Sequence, residues 1–381
     1  MPLAYDIVVV GSGPAGATTA RFAAQGGLRV LLIDKKNELG TPVQCSGALS
    51  ANALRECDVP IDHEFIATSV YGFLTHSNKG EEIRLDYRQY GRPEPLGHVV
   101  DRKRFDRYLS RMAIAAGADL FLQTRAVGLT HEGGHAVLEI ERLGRCETLT
   151  AKVVVGADGI MSQISLMAGL AVPVPLSQLV SCMQYFVENV ETEGLLEIVT
   201  GHDVAPGGYA WVFPKENKLA EVGLGVVKTM TDQDARWHLD RFMNESFMYQ
   251  RFTRAKIVEV QGGGVPVMAP LKQMVTDNVV IVGDAAHHIN SITGGGIHTA
   301  LRGGRMLGEF LAKTIPASTE WTREVLQEFQ THWFAELGNS LTELYHIKDD
   351  IFKIKNLAEQ DRALFETLGN YFTPNSRFRK V

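Results

Sequence analysis

A glycine-rich turn near the N-terminus limits the possible folds of this chain more than any other feature. Residues 5–16 read YDIVVVGSGPAG, an apolar strand followed at once by three glycines. Gly11 is expected to form the tight turn, Gly13 to leave room for a ligand, and Gly16 to let helix and strand pack closely. Ala15 lies in the same turn and is expected to contact the ligand. A helix beginning here would present N–H groups and a partial positive charge to a diphosphate, which predicts a Rossmann-like βαβ unit.

The second strand of this unit carries an acidic residue at its end. Residues 29–33, RVLLI, are followed by Asp34, which lies about 20 residues beyond the glycines, where a ribose hydroxyl is expected. A strand before the turn, a helix after it and this acid together predict a dinucleotide site. A tight βα turn without a ligand is the alternative.

A second glycine-rich segment lies in the C-terminal third. Residues 278–282, NVVIV, predict a strand that leads into Gly283 and Asp284. Asp284 is expected to accept a hydrogen bond from a ribityl hydroxyl, or to cap the helix after it. Gly295, Gly296 and Ile297 are expected to begin a helix whose positive end faces a flavin and favours its reduced state. A plain NAD enzyme has no use for this element, so the two segments together indicate a flavoprotein.

Two further positions follow from local patterns. Residues 98–106, HVVDRKRFD, open a predicted helix that continues to about residue 116. Arg102 at its start is expected to contact a phosphate or the flavin ring through its planar head, with Arg104 as the second choice and surface exposure as the alternative. Ala126, after a predicted strand at residues 120–122, is expected to give backbone hydrogen bonds to adenine.

Three marks occur in a fixed order along the chain: the glycine turn, an Asp-Gly pair at residues 158–159 and the Gly-Asp pair at residues 283–284. This order resembles the FAD-dependent family that includes para-hydroxybenzoate hydroxylase and the geranylgeranyl reductases. The resemblance implies FAD as cofactor. It also implies that Asp158 supports the phosphate and ribityl region, although shaping a turn is the alternative for that residue.

A finer resemblance rests on two shorter segments. Residues 42–47, PVQCSG, are similar to the Pro-x-x-Cys loop of geranylgeranyl reductases, especially the archaeal enzymes that saturate digeranylgeranyl glycerophospholipids. Residues 209–214, YAWVFP, are similar to the Tyr-x-Trp-x-Phe-Pro segment that lines the prenyl tunnel beside the flavin in that family. The resemblance implies a reductase that saturates isolated C=C bonds of geranylgeranyl chains in isoprenoid membrane lipid precursors, with hydride from N5 of reduced FAD.

The same resemblance places several residues at the site. Cys45, Ser46 and Gly47 are expected beside the flavin. The Cys45 thiol would donate a proton, polarise the site or pack as a small apolar group. Tyr209 and Trp211 face the same side of a strand, where they would wall an apolar tunnel or close an ordinary core.

Composition excludes some classes of function. The chain has 381 residues, 45% of them hydrophobic, and its formal net charge of -6 gives no reason to expect nucleic acid as a partner. Cys45, Cys57, Cys146 and Cys182 form no C-x-x-C pair, which suits a reducing cytoplasm and predicts no metal site.

No apolar run approaches the roughly 20 residues that span a bilayer, so a lipid would be reached from the membrane surface. The apolar stripe within residues 321–372 is expected to pack on the protein's own core, with contact to the membrane surface or a lid over the substrate mouth as the alternatives.

The order of the motifs predicts an α/β fold in three parts. Residues 1–60, 98–170 and 265–320 are assigned to a Rossmann-like FAD-binding domain, residues 61–97 and 171–264 to an inserted antiparallel β-sheet substrate domain, and residues 321–381 to a helical C-terminus. An FAD monooxygenase of the same fold, a non-catalytic isoprenoid carrier and an NAD-linked dehydrogenase are the alternative functions. Because the one dinucleotide turn is used by FAD, the electron donor is open between ferredoxin, a deazaflavin and NAD(P)H.

Overall fold

The computed structural model describes residues 3–42, 45–216 and 218–373. The strands of these ranges, in chain order, are β1 Leu3–Val10, β2 Val30–Ile33, β3 Ala48–Ser50, β4 Ile66–Val70, β5 Gly72–His76, β6 Glu82–Asp86, β7 Gly97–Val100, β8 Asp119–Phe121, β9 Thr124–Glu132, β10 His135–Arg142, β11 Arg145–Gly156, β12 Leu179–Glu188, β13 Leu196–Thr200, β14 Tyr209–Pro214, β15 Ala220–Val227, β16 Lys256–Pro266, β17 Val275–Thr276 and β18 Val279–Ile281. The α-helices are α1 Pro14–Gln25, α2 Ala51–Glu56, α3 Arg102–Ala115, α4 Gln163–Met167, α5 Ala235–Glu245, α6 Tyr249–Phe252, α7 Ile297–Ala317, α8 Arg323–Trp333, α9 Asn339–Phe352 and α10 Leu357–Tyr371.

The first sheet has the order β17-β18-β11-β1-β2-β8, and β10 and β9 continue from β11 as an antiparallel extension. Its central strands are parallel: β1 pairs with β11 and β2, and β11 pairs with β18. Residues 7–9 of β1 are fully buried, as expected for a strand covered on both faces. Helix α1 packs against α3 and α7. Because the central strands are parallel, their carboxyl ends meet at one edge, where the glycine turns also lie.

The second sheet has the order β16-β12-β15-β14-β13-β5-β6. It is antiparallel except for the parallel pair of β13 with β5. Helix α5 packs on one face through β12 and β15, with Leu239 and Phe242 in a core of their own beside Val222. The four strands predicted between residues 179 and 227 are confirmed, whereas α5, which lies inside the predicted β-domain, was not predicted. A third, small sheet has the order β3-β7-β4, which places β4 outside the second sheet.

The C-terminal helices complete the molecule. A π-helical turn, Phe334–Gly338, joins α8 to α9. Leu326, Phe329, Trp333 and Leu337 are fully buried, so the apolar stripe packs on the protein's own core. In the part of the chain that the structure describes, no helix combines the length and the apolar character that a membrane crossing requires. The fold is the predicted one: a Rossmann-like sheet, a second β-sheet and a helical C-terminus.

Candidate active site

A cavity of about 1250 Å³ lies between the second sheet and the small third sheet. Its walls come from the face of the second sheet opposite α5, from β3 and β7, from the start of α7 and from the C-terminal helices. Much of the lining is aromatic or aliphatic, including Phe73, Leu196, Ile198, Tyr209, Trp211 and Phe213. A space of this size and character suits a long apolar ligand.

Strand register arranges one wall of the cavity in rows. In the central row, Gln261 lies opposite Gln184, Gln184 opposite Gly223, and Gly223 opposite Trp211. Gln184 donates from Nε2 to Oε1 of Gln261 at 2.5 Å, and Gln261 donates to Glu259 at 2.9 Å. The amides of both glutamines are therefore oriented by an exposed carboxylate at the edge strand. Gln184 was not found from the sequence, because only the register brings it to Trp211.

Tyr209 and Trp211 lie on the same side of β14, as their alternation predicts. Their rings meet edge to face with centroids 6.0 Å apart, and the Tyr209 hydroxyl donates to the Thr293 carbonyl at 2.5 Å. Burial raises the pKa of the Tyr209 hydroxyl, so this group is a neutral donor. The indole of Trp211 needs the space above Gly223, where a Cβ atom would lie 2.5 Å from its Cζ2. Both rings line the cavity, which favours a tunnel wall over an ordinary core.

Cys45 and Ser46 lie at the cavity, on the loop that leads into β3. The Gly47 N–H donates to the Cys45 Sγ at 3.4 Å, and the Val100 N–H donates to the Gly47 carbonyl at 2.9 Å. Gly47 has a φ of +77°, and a Cβ atom there would lie 2.3 Å from the Val100 carbonyl oxygen. Glycine is therefore required at this position, and it fixes the loop against β7. Residues 43 and 44 of the Pro-x-x-Cys loop lie outside the described residues.

A second cysteine also lines the cavity. Cys182 on β12 lies opposite Gly225 and Gly263 in the sheet, and it lines the same cavity as Cys45. Burial raises the pKa of the Cys182 thiol to about 12, which keeps it protonated. The position of Cys182 in the cavity was not predicted, because no local motif in the sequence links β12 to the Cys45 loop.

Arg102 begins α3 as predicted, and its side chain is 15% exposed. It donates to both oxygens of Asp106, one turn later, at 3.1 and 3.0 Å. The guanidinium also lies close enough to Cys45 and Asp284 to interact with them electrostatically. The guanidinium is thus held between the two predicted flavin segments. Arg104, the second choice, lies on the surface next to Asp101.

Asp284 lies in a short 3-10 turn, Gly283–Ala286, and neither this turn nor α7 has a side-chain cap. The capping alternative for Asp284 is therefore wrong. Burial raises the pKa of its carboxyl, and the positive charge of Arg102 opposes that shift. A Cβ atom on Gly296, the residue before α7, would lie 3.2 Å from the carboxylate. Gly295, Gly296 and Ile297 line the cavity beside it.

The N-terminal turn has the shape that a diphosphate needs. Gly11 has a φ of +103°, and a Cβ atom there would lie 2.3 Å from the Ala157 carbonyl oxygen. Gly16 is equally crowded, with a Cβ position 1.9 Å from the Gly11 carbonyl oxygen. Around Gly13, the residue before α1, no atom lies within 4 Å of such a position. Of these three glycines, only Gly13 has open space beside it, and a dinucleotide phosphate would fit there.

Three other predicted cofactor residues make contacts within the protein. Asp34 accepts from the Ser12 N–H at 2.9 Å and from the Ser12 hydroxyl at 2.5 Å, so it braces the glycine turn. Asp158 accepts from the Ser162 hydroxyl and from two N–H groups at the start of α4, as the turn alternative predicts. Ala126 is buried within β9, opposite Ile140. Contacts of these three with FAD stay predictions.

The phosphate turn, the Rossmann-like sheet and the cavity against the second sheet define the class of this protein: an FAD-dependent oxidoreductase. Residues 5–175 match the model of the pyridine nucleotide-disulphide oxidoreductases, and residues 178–265 match the geranylgeranyl reductase catalytic domain.

The chain belongs to the digeranylgeranylglycerophospholipid reductase family. It is 36% identical over 365 residues to such a reductase of Methanoculleus marisnigri, covering 93% of this chain and 89% of the relative. A relative of the same name from Methanocaldococcus jannaschii is 36% identical over 96% of this chain and 90% of its own length. The resemblance carried by the Pro-x-x-Cys and Tyr-x-Trp-x-Phe-Pro segments is confirmed.

Solved structures agree with this family. A geranylgeranyl bacteriochlorophyll reductase-like protein from Thermoplasma acidophilum has a TM-score of 0.86 and 28% identity, with 98% of each chain covered. A flavin-dependent brominase is similar with a TM-score of 0.73 at 18% identity, covering 97% of this chain and 94% of its own. The brominase shares the fold alone.

Proposed function

We propose that this protein saturates isolated C=C bonds in the geranylgeranyl chains of isoprenoid membrane lipid precursors. The observation that carries the proposal is the cavity of about 1250 Å³, whose aromatic wall and Cys45 loop meet the start of α7. A mainly apolar space of that size has no evident use for a small polar substrate. The names of the family relatives support the same substrate class.

Each FAD segment has candidate residues in this chain. The turn at Gly13 and the N-terminus of α1 would hold the diphosphate. Asp284 would accept from the ribityl chain, and Arg102 would balance negative charge nearby. When bound, reduced FAD supplies the hydride for the reaction.

The protein's own contribution is to position the alkene and exclude water. An isolated alkene has no carbonyl to hold negative charge, so the placement of the reacting carbon atoms matters most. The Trp211 and Tyr209 rings would hold the chain in register. The hydrogen bond from Tyr209 to Thr293 and the edge-to-face contact of the two rings keep them in place. Cys45 would hold a proton on Sγ at the end of the cavity where its loop meets β7. Cys182, protonated and facing the same cavity, is a second candidate proton source.

The electron donor and the place of action also belong to the proposal. Ferredoxin, a deazaflavin or NAD(P)H would reduce the flavin from outside, and each is to be supplied separately to the purified protein. The lipid would be collected at the inner face of the membrane by a peripheral contact. Flotation with vesicles of anionic archaeal lipids tests that contact, and a protein that stays with the soluble fraction contradicts it.

An anaerobic single-turnover experiment tests the reductase function. The holoenzyme is reduced with dithionite, freed of excess reductant and mixed with a geranylgeranyl lipid. Reoxidation of the flavin together with a mass gain of two hydrogens per bond is expected, as two hydrogens saturate one alkene. A flavin that stays reduced until oxygen is admitted contradicts the proposal and favours the monooxygenase or the carrier.

Matched variants test the proton source in the same experiment. Cys45→Ala is expected to slow reoxidation by the lipid while flavin content stays unchanged, because the thiol lies at the cavity. Cys146→Ala, a change at an exposed cysteine, serves as the control. Equal rates for the two variants would remove the proton role from Cys45.

A further inference from the structure

Lys348 on α9 is a buried cation in the wall of the cavity, with 6% of the residue exposed. Its ammonium donates to the Gln178 side-chain oxygen and to the Val267 carbonyl oxygen, the latter at 3.0 Å. It also lies 4.7 Å from the centre of the Tyr345 ring. An ammonium group has three donors, so two neutral acceptors leave one donor to satisfy.

No carboxylate of the described residues lies within ion-pair distance of Lys348. The adjacent Asp349 pairs instead with Lys353 at 2.8 Å. By contrast, the buried ammonium of Lys215 has Glu221 at 3.3 Å. Because a buried charge without a counter-ion is expensive, an anion that enters the cavity beside Lys348 would be stabilised there. Burial lowers the pKa of Lys348 to about 8, so the group still carries its charge at neutral pH.

The other cations at the cavity are less suited to this role. Arg302 pairs with Glu56 at 3.0 Å, and the Arg55 side chain donates to Asn52 at the exposed rim. Their charges are already partly balanced by a carboxylate or by solvent. Among the described cavity-lining cations, Lys348 therefore offers an arriving anion the largest electrostatic gain.

The position of Lys348 suits one end of a long ligand. Gln178 directly precedes β12, and Val267 directly follows β16, so Lys348 marks one end of the sheet wall. Cys182 lies four residues further along β12, which at about 3.3 Å per residue is roughly 13 Å from that end. A group held at Lys348 would thus leave a length of chain between itself and the cysteine end of the cavity.

We infer that Lys348 binds the phosphate group of the lipid substrate and so sets which double bonds reach the reactive position. This inference rests on the proposed function for the identity of the lipid. The charge-assisted hydrogen bond from Lys348 to a phosphate oxygen would supply the missing counter-ion and the third acceptor together.

Binding to the oxidised holoenzyme tests the inference without turnover. The probes are a digeranylgeranyl glycerol phosphate and the same lipid without phosphate, titrated in detergent and followed by flavin absorbance. Lys348→Met is expected to weaken binding of the phosphate lipid about 10- to 100-fold and that of the neutral lipid less than about twofold. Lys353→Met, an exposed lysine at the end of the same helix, is the control and is expected to change neither. Equal loss for both lipids, or loss for neither, overturns the inference.

Thermal stability provides an independent measurement. Without ligand, Lys348→Met is expected to melt within a few degrees of the wild type, because removal of a buried uncompensated charge offsets the loss of the hydrogen bonds to Gln178 and Val267. A clear fall in melting temperature would indicate a structural lysine and contradict the inference. Should Lys348→Met not fold, Lys348→Gln removes the charge while keeping a donor for the Val267 carbonyl.

Inorganic phosphate separates the two sources of the anion. If inorganic phosphate stabilises the wild type while both lipids bind equally well, the site holds a free anion and the lipid assignment fails. Conversely, selective loss of the phosphate lipid in Lys348→Met supports the inference even if the wild type reduces neither lipid. In that case the proposed reductase function fails while the phosphate site stands.

Discussion

Replacing Lys215 by methionine is expected to destabilise the protein by an amount that grows with pH. The Lys215 ammonium lies 3.3 Å from Glu221 Oε1 and donates to the Val100 carbonyl at 3.0 Å, and both side chains of the pair are about 5% exposed or less. Val100 is the residue whose N–H holds Gly47 of the cysteine loop. The pair therefore connects the second sheet to β7 and, through Val100, to the Cys45 loop.

The pH dependence follows from Glu221. Burial raises the pKa of its carboxyl from 4.5 to about 7, against the attraction of Lys215 and with the repulsion of Asp101 and Glu259. The folded state binds this proton more tightly than the unfolded state, so the wild type loses stability from this group as pH rises from about 4.5 to 7, and no further above that. Without Lys215 the pKa of Glu221 lies higher still, and the loss continues beyond pH 7 by up to about 1.4 kcal/mol per pH unit.

The magnitude can be bracketed at two pH values. Near pH 6 the Glu221 carboxyl is mainly protonated in both proteins, so the difference is the lost hydrogen bond to Val100, about 1 to 2 kcal/mol. Near pH 8.5 it approaches the roughly 3 to 5 kcal/mol of a broken buried ion pair. Urea unfolding of the holoenzyme at both pH values measures the difference directly.

Two variants act as controls for this prediction. Lys218→Met removes an exposed ion pair with Glu191 in the same hairpin and is expected to cost less than about 1 kcal/mol at either pH. Lys215→Met combined with Glu221→Gln is expected to lose the pH dependence. A stability difference for Lys215→Met that stays flat or shrinks between pH 6 and 8.5 would refute the reasoning.

Three further substitutions test the site and its supports. Trp211→Ala is expected to reduce turnover far more than flavin content, because the ring walls the cavity, and equal loss of both speaks against the tunnel. Gly11→Ala is expected to lower flavin content and melting temperature, since its Cβ would meet the Ala157 carbonyl oxygen at 2.3 Å, whereas Gly27→Ala, with a similar φ of +86° and open space, retains the flavin. Asp101→Ala removes the N-cap of α3 and is expected to lower the free energy of unfolding by about 1 kcal/mol, measured by thermal unfolding. A smaller loss would indicate that water replaces the carboxylate as the acceptor for the Arg104 N–H.

Local patterns made the nucleotide half of this fold predictable. The first strand, its turn and α1 are encoded within residues 3–25, and each glycine acts on neighbours only a few residues away or on the adjoining strand end. The partner of Arg102 was equally readable, because Asp106 lies one helical turn later. Helix α5 was also within reach: Asp234 caps it, and apolar positions recur at helical spacing up to Met243.

The cavity wall was less predictable, because strand register rather than spacing brings its residues together. The sequence of β12 predicts only that Cys182 and Gln184 lie on the same face of the strand. It does not indicate that the Cys45 loop lines the same cavity. Lys348 is hidden for the same reason. Its helical position resembles that of any solvent-facing lysine, and only the packing of α9 against residues 178 and 267 buries it.

The composition of β15 explains how a single buried strand can pack into a core on one face and border a cavity on the other. All of its residues are buried, yet Val222, Leu224 and Val226 pack into the core beneath α5. Gly223 and Gly225 lie on the opposite face, where Gly225 lines the cavity and Gly223 lies beneath Trp211. A Cβ atom on Gly225 would lie 2.6 Å from Val180 Cγ1, as close as the one on Gly223 would lie to Trp211. Side chains at these two positions would displace their neighbours into the cavity. The space for a long apolar chain therefore depends on side chains that are absent as much as on the aromatic rings that are present.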